Sequence, residues 1–268
     1  MPELPEVRRM CLDLSRLISG DTLESCEIMS GRYTKKQPVG WELISASSSS
    51  TIVGVGTHGK FSYILLSSGI NIWATMGMTG RMCKDRTKHT RIQFSLGSGK
   101  KFYFNDTRNF GTIKFVYGPN KLKDKLDKLG PDLFSNDITA KIFIKRFRER
   151  NNWNITKTMM NQAVVAGIGN YIKAESLWLS EISPERCVDD LEDFELVLLY
   201  RSVRDVVHTS YMHNGETFLT HKNFSEKKGD YSCKFLCYNR IIDAEGNKVI
   251  KTQTPDGRTT HWAPQKQK

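Results

Sequence analysis

Residues 51–66 read TIVGVGTHGKFSYILL, two runs rich in branched and aromatic residues parted by Gly56-Thr57-His58-Gly59. Such side chains fit a pleated, half-buried surface, and the glycine-bearing interval supplies the reversal between antiparallel neighbours. The same signature continues through residues 70–76, 90–96, 101–104 and 111–117, with glycine-containing turns between them. Short strands at this regular spacing predict an antiparallel sandwich or barrel. Ahead of them, Val7, Met10, Cys11, Leu14 and Ile18 form an apolar stripe at helical spacing. Residues 3–18 are therefore expected to form a leading helix that starts almost at the chain terminus.

Beyond residue 117 the character changes. Lys121, Lys123, Lys125 and Lys128 lead into Leu129-Gly130-Pro131-Asp132, which reads as a basic linker and a boundary. Helical periodicity runs from 139 to about 212. The polar remainder carries two hairpin signals, Asp243-Ala244-Glu245-Gly246 and Pro255-Asp256-Gly257. The predicted class is α+β. An antiparallel β-sandwich domain with its leading helix is expected over residues 1–130, a helical domain over 131–214, and a loop with a terminal β-hairpin over 215–268.

Composition narrows the partner. Lys and Arg number 40 against 29 Asp and Glu, a net +11 that attracts a polyanion. Duplex nucleic acid leads, with RNA or an anionic membrane surface as the rivals that charge alone supports. No run of about 18 apolar residues is present, which excludes a spanning helix. The start, MPELPEVRRM, is too acidic and polar for a secretory signal. Six scattered cysteines with one close pair, Cys233 and Cys237, suit the reduced thiols of an intracellular protein rather than a disulfide framework.

The first residues carry the chemistry. A small second residue permits removal of Met1, which leaves Pro2 as a terminal secondary amine. An α-amino group titrates near about 7.7–8.0, so a useful fraction is nucleophilic at neutrality. Condensed with a sugar C1′, a secondary amine gives an iminium that stays charged, a persistent electron sink. Glu3 is placed to protonate the sugar ring oxygen, and Glu6, one helical turn on, to orient the terminus or relay a proton. Taken alone, Pro-Glu is also ordinary helix-start chemistry, with acids favoured there by the dipole.

Pro2-Glu3-Leu4-Pro5-Glu6-Val7 resembles the N-terminal signature of the formamidopyrimidine-DNA glycosylase/endonuclease VIII family, and the resemblance recurs in order along nearly the whole chain. Gly59-Lys60-Phe61 is similar to the family's Gly-Lys-aromatic turn, which implies that Lys60 grips phosphate beside the lesion and belongs with the catalytic residues. Gly77-Met78-Thr79-Gly80 and Asp106-Thr107-Arg108-Asn109-Phe110-Gly111 resemble the loops that fill the gap left by an everted nucleotide. Met78, Arg108 and Phe110 are the implied void-filling residues. Asn161-Gln162 and Val165-Ala166-Gly167-Ile168-Gly169-Asn170-Tyr171 resemble the family's helix–two-turn–helix. Gly167 and Gly169 permit a turn whose N–H groups approach a phosphate, and Asn170 caps or contacts it. Glu175 matches a carboxylate directed toward the terminal proline. His89 and Tyr238 join the DNA-contacting set by the same resemblance.

The end of the chain departs from part of the family. Bacterial members carry two Cys-x-x-Cys zinc pairs there. Here Tyr238-Asn239-Arg240 aligns with the Tyr-Gly-Arg that precedes the first pair, and no cysteine follows. Cys233 and Cys237, with His221 or His261, remain as an alternative zinc set. The preferred reading is the zincless finger of the animal endonuclease VIII-like branch, a hairpin held without metal by strand pairing and by Val249, Ile250 and Trp262. Gly257-Arg258-Thr259-Thr260-His261-Trp262 matches its phosphate-gripping turn, with Arg258 as bidentate ligand. Residues 215–231 match a lesion-capping loop, or equally a surface linker.

The resemblance implies a monomeric, bifunctional DNA glycosylase and abasic-site lyase of base excision repair, acting on damaged double-stranded DNA. It implies no cofactor, no metal and no membrane, and a location at DNA, in the nucleus if the source is eukaryotic. The rival is a non-enzymatic damaged-DNA-binding protein of the same fold. Leu4-Pro5 and the Met78, Arg108 and Phe110 trio resemble the oxidised-purine branch, while the finger resembles a branch favouring oxidised pyrimidines.

Overall fold

Val7, Met10, Cys11, Leu14 and Ile18 are each at most 3% exposed, and the helix they define, α1 (Leu4–Ile18), lays that stripe on a β-sandwich. The computed structural model describes residues 2–213, 215 and 231–268. These form two compact units, residues 2–127 and residues 128–213 with 215 and 231–268.

In the first unit α1 is followed by β1 (Thr22–Ile28), a 3-10 turn (Gly31–Thr34), α2 (Trp41–Ser45), β2 (Ser50–His58), β3 (Phe61–Leu66) and β4 (Ile70–Thr75). Then come β5 (Gly80–Cys83), β6 (Thr90–Leu96), β7 (Lys101–Asp106) and β8 (Thr112–Tyr117). The strand order is β5-β7-β6-β1-β2-β3-β4-β8, with every neighbouring pair antiparallel. β1 and β2 meet through Thr22↔Thr51 and Leu23↔Ser50, and there the order parts into two four-stranded layers. Leu23, Ile92, Phe94 and Phe104 of one layer share a core with Ile52, Ile64, Ile72 and Phe115 of the other. Phe94 and Phe102, paired across β6 and β7, stack at 4.5 Å. Full burial of each such side chain contributes about 1.5–3 kcal/mol, so this core dominates the stability of the unit.

All the predicted strand runs are strands. Two more were not foreseen. β1 interleaves Glu24 and Glu27 with its apolar residues, and β5 has only four residues. The basic linker is instead a helix, α3 (Pro119–Asp127). Pro119 sets its first turn, and Lys123 pairs with Asp127 at 2.5 Å one turn on. Both partners are well exposed, and such pairs contribute only about 0.3–0.5 kcal/mol.

The second unit contains α4 (Ala140–Arg148), α5 (Ile155–Met160), α6 (Asn170–Leu179) and α7 (Asp193–Met212). Thr139 and Asn154 cap the first two by accepting the N–H groups of Ile142 and Thr156. The turn from α5 to α6 is organised by Gln162, whose amide donates to the carbonyls of Met160 and Ile168 and accepts from Gly167 at 2.9 Å. Gly167 sits at φ +113°, a backbone that side-chain-bearing residues resist. α6 is buried almost throughout, from Tyr171 to Trp178. A hairpin of β9 (Ile250–Gln253) and β10 (Thr259–Trp262) ends the unit, matching both predicted turn signals together with the Ile242↔Lys248 bridge. Among the described residues no helix is long and apolar enough to cross a membrane.

Candidate active site and nucleic-acid interface

At the head of α1, Glu3 and Glu6 form the helix-start pairing that the sequence allowed. Glu3 is the N-cap residue, 2% exposed, and Glu6 is 7% exposed. The Glu3 N–H donates to the Glu6 carboxylate at 2.8 Å, and the Glu3 side chain accepts the N–H of the third helical residue in return. This reciprocal box satisfies donors that a helix start leaves open. It also buries two carboxylates immediately after Pro2, itself buried. Such groups can hold or pass a proton at the chain head. Met1, whose removal would uncover the Pro2 nitrogen, lies outside the described residues.

Lys60 follows Gly59 (φ +57°) in the turn that joins β2 to β3, where His58 pairs with Phe61. The left-handed glycine makes the reversal tight and sets the lysine at its tip.

The void-filling residues stand on two loops tied together by Asp106, a carboxylate 1% exposed at the end of β7. One oxygen accepts the Thr79 hydroxyl and the other the Gly111 N–H at 2.7 Å. Thr79 Oγ1 in turn accepts the Arg108 N–H at 2.9 Å. Gly77 sits at φ +55°, and a Cβ there would come within 2.7 Å of the Gly111 nitrogen, so the loops approach backbone to backbone. Buried Arg91 braces the platform from beneath, donating to the Asp106 carbonyl at 2.7 Å and to Ser30 Oγ at 2.8 Å. Arg32 donates to the Gly111 carbonyl. On this support Arg108 is exposed with its guanidinium 4.8 Å from the Phe110 ring centroid, Phe110 is 54% exposed, and Met78 is half-buried. The structure thus brings the three residues onto one braced platform. His89 belongs to its base, since its carbonyl accepts the Asp106 N–H at 3.0 Å.

In the second unit Asn170 opens α6 behind the N-cap Gly169, and its amide donates to the Thr259 carbonyl at 3.0 Å. That bond brings it beside Arg258, whose side chain is exposed on the β9–β10 turn. Asn170 Oδ1 is buried with no hydrogen-bond partner. Glu175, the carboxylate that the resemblance directs toward the terminal proline, is fully buried and accepts the N–H groups of Leu236, Cys237 and Tyr238 at 2.6–2.9 Å. Burial pushes its carboxyl up, and the three donors oppose that shift. Tyr238 is fixed by this bond and by ring contacts to Tyr171, Phe235 and His261.

Of the alternative zinc ligands, Cys233 is exposed, and Cys237 is buried with Trp178, Val249 and Ala263. Burial, with the carboxylates of Glu175 and Asp243 adding to it, pushes the Cys237 thiol up to about 12. His221 and residues 216–230 of the expected capping loop lie outside the described residues. The finger is held by Val249 in that cluster, by Trp262 donating to Thr252 at 2.9 Å, and by Trp178 donating to buried Asp243 at 2.8 Å.

Sequence reasoning missed the supports: the role of Asp106, the bracing arginines Arg32 and Arg91, and a buried Lys173–Asp256 ion pair of 2.7 Å. A faint signal existed for Lys173, a cation three residues after Asn170 within the mostly apolar sequence NYIKAESLWL.

Residues 1–113 match the family model for the formamidopyrimidine-DNA glycosylase N-terminal domain, and residues 129–221 match that for the formamidopyrimidine-DNA glycosylase H2TH domain. A curated formamidopyrimidine-DNA glycosylase of Desulfitobacterium hafniense is 30% identical over 278 residues, 98% of each chain. The crystal structure of the MutM (Fpg) protein from Thermus thermophilus is similar at a TM-score of 0.87 and 27% identity, covering 99% of this chain and 98% of that one. A Lactococcus lactis Fpg mutant in complex with a Fapy-dG containing DNA gives 0.87 at 25% identity over the whole of both chains. Two family domains in the family's order, and relatives matched from end to end, make this chain a member of the formamidopyrimidine-DNA glycosylase family.

Proposed function

We propose that this chain excises oxidised bases from duplex DNA and cleaves the strand at the resulting site, with the Pro2 nitrogen as nucleophile once Met1 has been removed. The observation that carries this reading is the buried Glu3–Glu6 box directly behind Pro2, in a chain of this family. Similar structures bound to Fapy-dG and to abasic-site DNA support damaged duplex as the partner.

Lys60, Asn170 and Arg258 grip backbone phosphates, His89 and Tyr238 add further DNA contacts, and Met78, Arg108 and Phe110 occupy the space of the everted nucleotide. The Pro2 lone pair attacks C1′, the glycosidic bond breaks and the base departs with its electron pair, taking up the proton that the amine gives up. Glu3 delivers a proton to the ring oxygen, the sugar opens, and the C1′ iminium remains. That cation acidifies the C2′ proton, whose loss expels the 3′ phosphate. A second elimination expels the 5′ phosphate, and hydrolysis frees the amine. Glu6 holds the Glu3 backbone, and Glu175 acts as a positioning residue through residues 236–238. The substrates are oxidised pyrimidines, oxidised purines or both.

Borohydride trapping on lesion-containing duplex tests this. Wild type should give a covalent adduct whose peptide map ends at Pro2, compared with Pro2→Gly. Glu3→Gln should slow excision by about 10²–10⁴-fold. An adduct on an internal lysine, or none with any oxidised base, would sink the mechanism. Tight binding to damaged duplex without cleavage would favour the non-enzymatic damage binder.

A further inference from the structure

The Arg258 turn is tethered on both sides. Upstream, Asp256 forms its ion pair with Lys173 Nζ at 2.7 Å, the two side chains being 1% and 0% exposed. Downstream, the Thr259 carbonyl accepts from Asn170 Nδ2. Asn170 and Lys173 lie three residues apart, on one face of α6, so both tethers end on the same helix. Within the turn the Arg258 carbonyl accepts from the Thr254 N–H at 3.0 Å and the Thr254 hydroxyl at 2.9 Å, and that hydroxyl also contacts Asp256. The Arg258 and Thr259 carbonyls and the Gly257 N–H are therefore committed, while the Arg258 side chain is exposed to solvent.

A buried ion pair is a weak source of stability, because desolvating two charges offsets most of their attraction. What it supplies well is register, since a direct bond at 2.7 Å tolerates little sliding between helix and hairpin. We infer that the Lys173–Asp256 pair is a positioning device that sets the Arg258 guanidinium at a fixed offset from Asn170, so that the two engage one DNA phosphate together. This rests on the reading of Arg258 and Asn170 as phosphate contacts given above.

The test uses the full chain and a duplex carrying a tetrahydrofuran abasic analogue, which binds without being cleaved. Asp256→Asn neutralises only one member of a buried ion pair and is at risk of misfolding, so the informative variant is Lys173→Met with Asp256→Leu, which removes both charges and keeps the volume filled. It should melt within a few degrees of wild type and bind about tenfold more weakly. Its salt slope should fall by about one, as for Arg258→Ala. Single-turnover excision at saturating lesion DNA should stay within about twofold of wild type, and adding Arg258→Ala should weaken binding no further. Wild-type binding by the double variant, a full additional loss on adding Arg258→Ala, or failure of the double variant to fold would each overturn the proposal. Unchanged binding by Arg258→Ala alone would overturn the reading of Arg258 itself, and the positioning role with it.

Discussion

At Asp106 one buried carboxylate accepts from a hydroxyl on one loop and an amide on another, and the residues they carry point outward. A buried donor left unpaired costs about 1–3 kcal/mol, so Asp106→Ala should lower stability by that order and slow excision as the platform loosens. Phe110→Ala should separate the two effects. At 54% exposure its truncation should shift stability by no more than about 0.5 kcal/mol, yet excision from duplex should fall at least as far as in Asp106→Ala. Thermal melts beside single-turnover rates check both, and a Phe110→Ala enzyme of full activity would remove the void-filling role. Asn239 makes a related point. Its φ of +59° lies in the left-handed region that asparagine and glycine tolerate best, which explains why Tyr238-Asn239-Arg240 was legible against a Tyr-Gly-Arg pattern.

Among the elements, the terminal hairpin is the one least able to stand alone, since two four-residue strands are marginal in water. α6 holds this part of the chain at three buried points: Lys173 to Asp256, Glu175 to residues 236–238, and Trp178 to Asp243. Treatment with a strong zinc chelator should therefore leave both the melting temperature and excision unchanged. A drop in either would restore the cysteine–histidine alternative. The hairpin also carries a pH signature. Burial, with the charges of Lys251 and Lys173 adding to it, holds His261 below the usual histidine range. The folded chain keeps it neutral, whereas the unfolded chain takes up a proton below about 6.5. Its contribution is complete above that pH and is lost as the pH falls toward the lowered folded value. The melting temperature should fall between pH 7 and 5, and His261→Phe, which keeps a ring against Tyr238, should make the fall shallower. His208, lowered chiefly by burial, adds a residual slope in the same direction.

For the whole molecule the net charge of +11 sets how it meets a polyanion. Log affinity for duplex should fall linearly with log salt, by about 0.9 per phosphate neutralised. Lys60→Met should reduce that slope by about one and weaken damaged and undamaged duplex alike, because a phosphate contact carries no base information. A loss confined to damaged duplex would mean that Lys60 acts on the lesion. The sequence by itself determined the leading helix, the predicted strand runs, the helical span, both hairpin turns and the order of the family motifs. Periodicity and turn chemistry belong to contiguous residues, so they survive without a fold. Only the tertiary structure decided that β1 and β5 are strands, that the lysine-rich stretch is α3, and that Asp106, Glu175 and Lys173 are supports. Their distant partners (Thr79 for Asp106, residues 236–238 for Glu175, Asp256 for Lys173) lie 27, 61–63 and 83 positions away, and a hydrogen bond of that span exists only once burial has brought both ends out of water together.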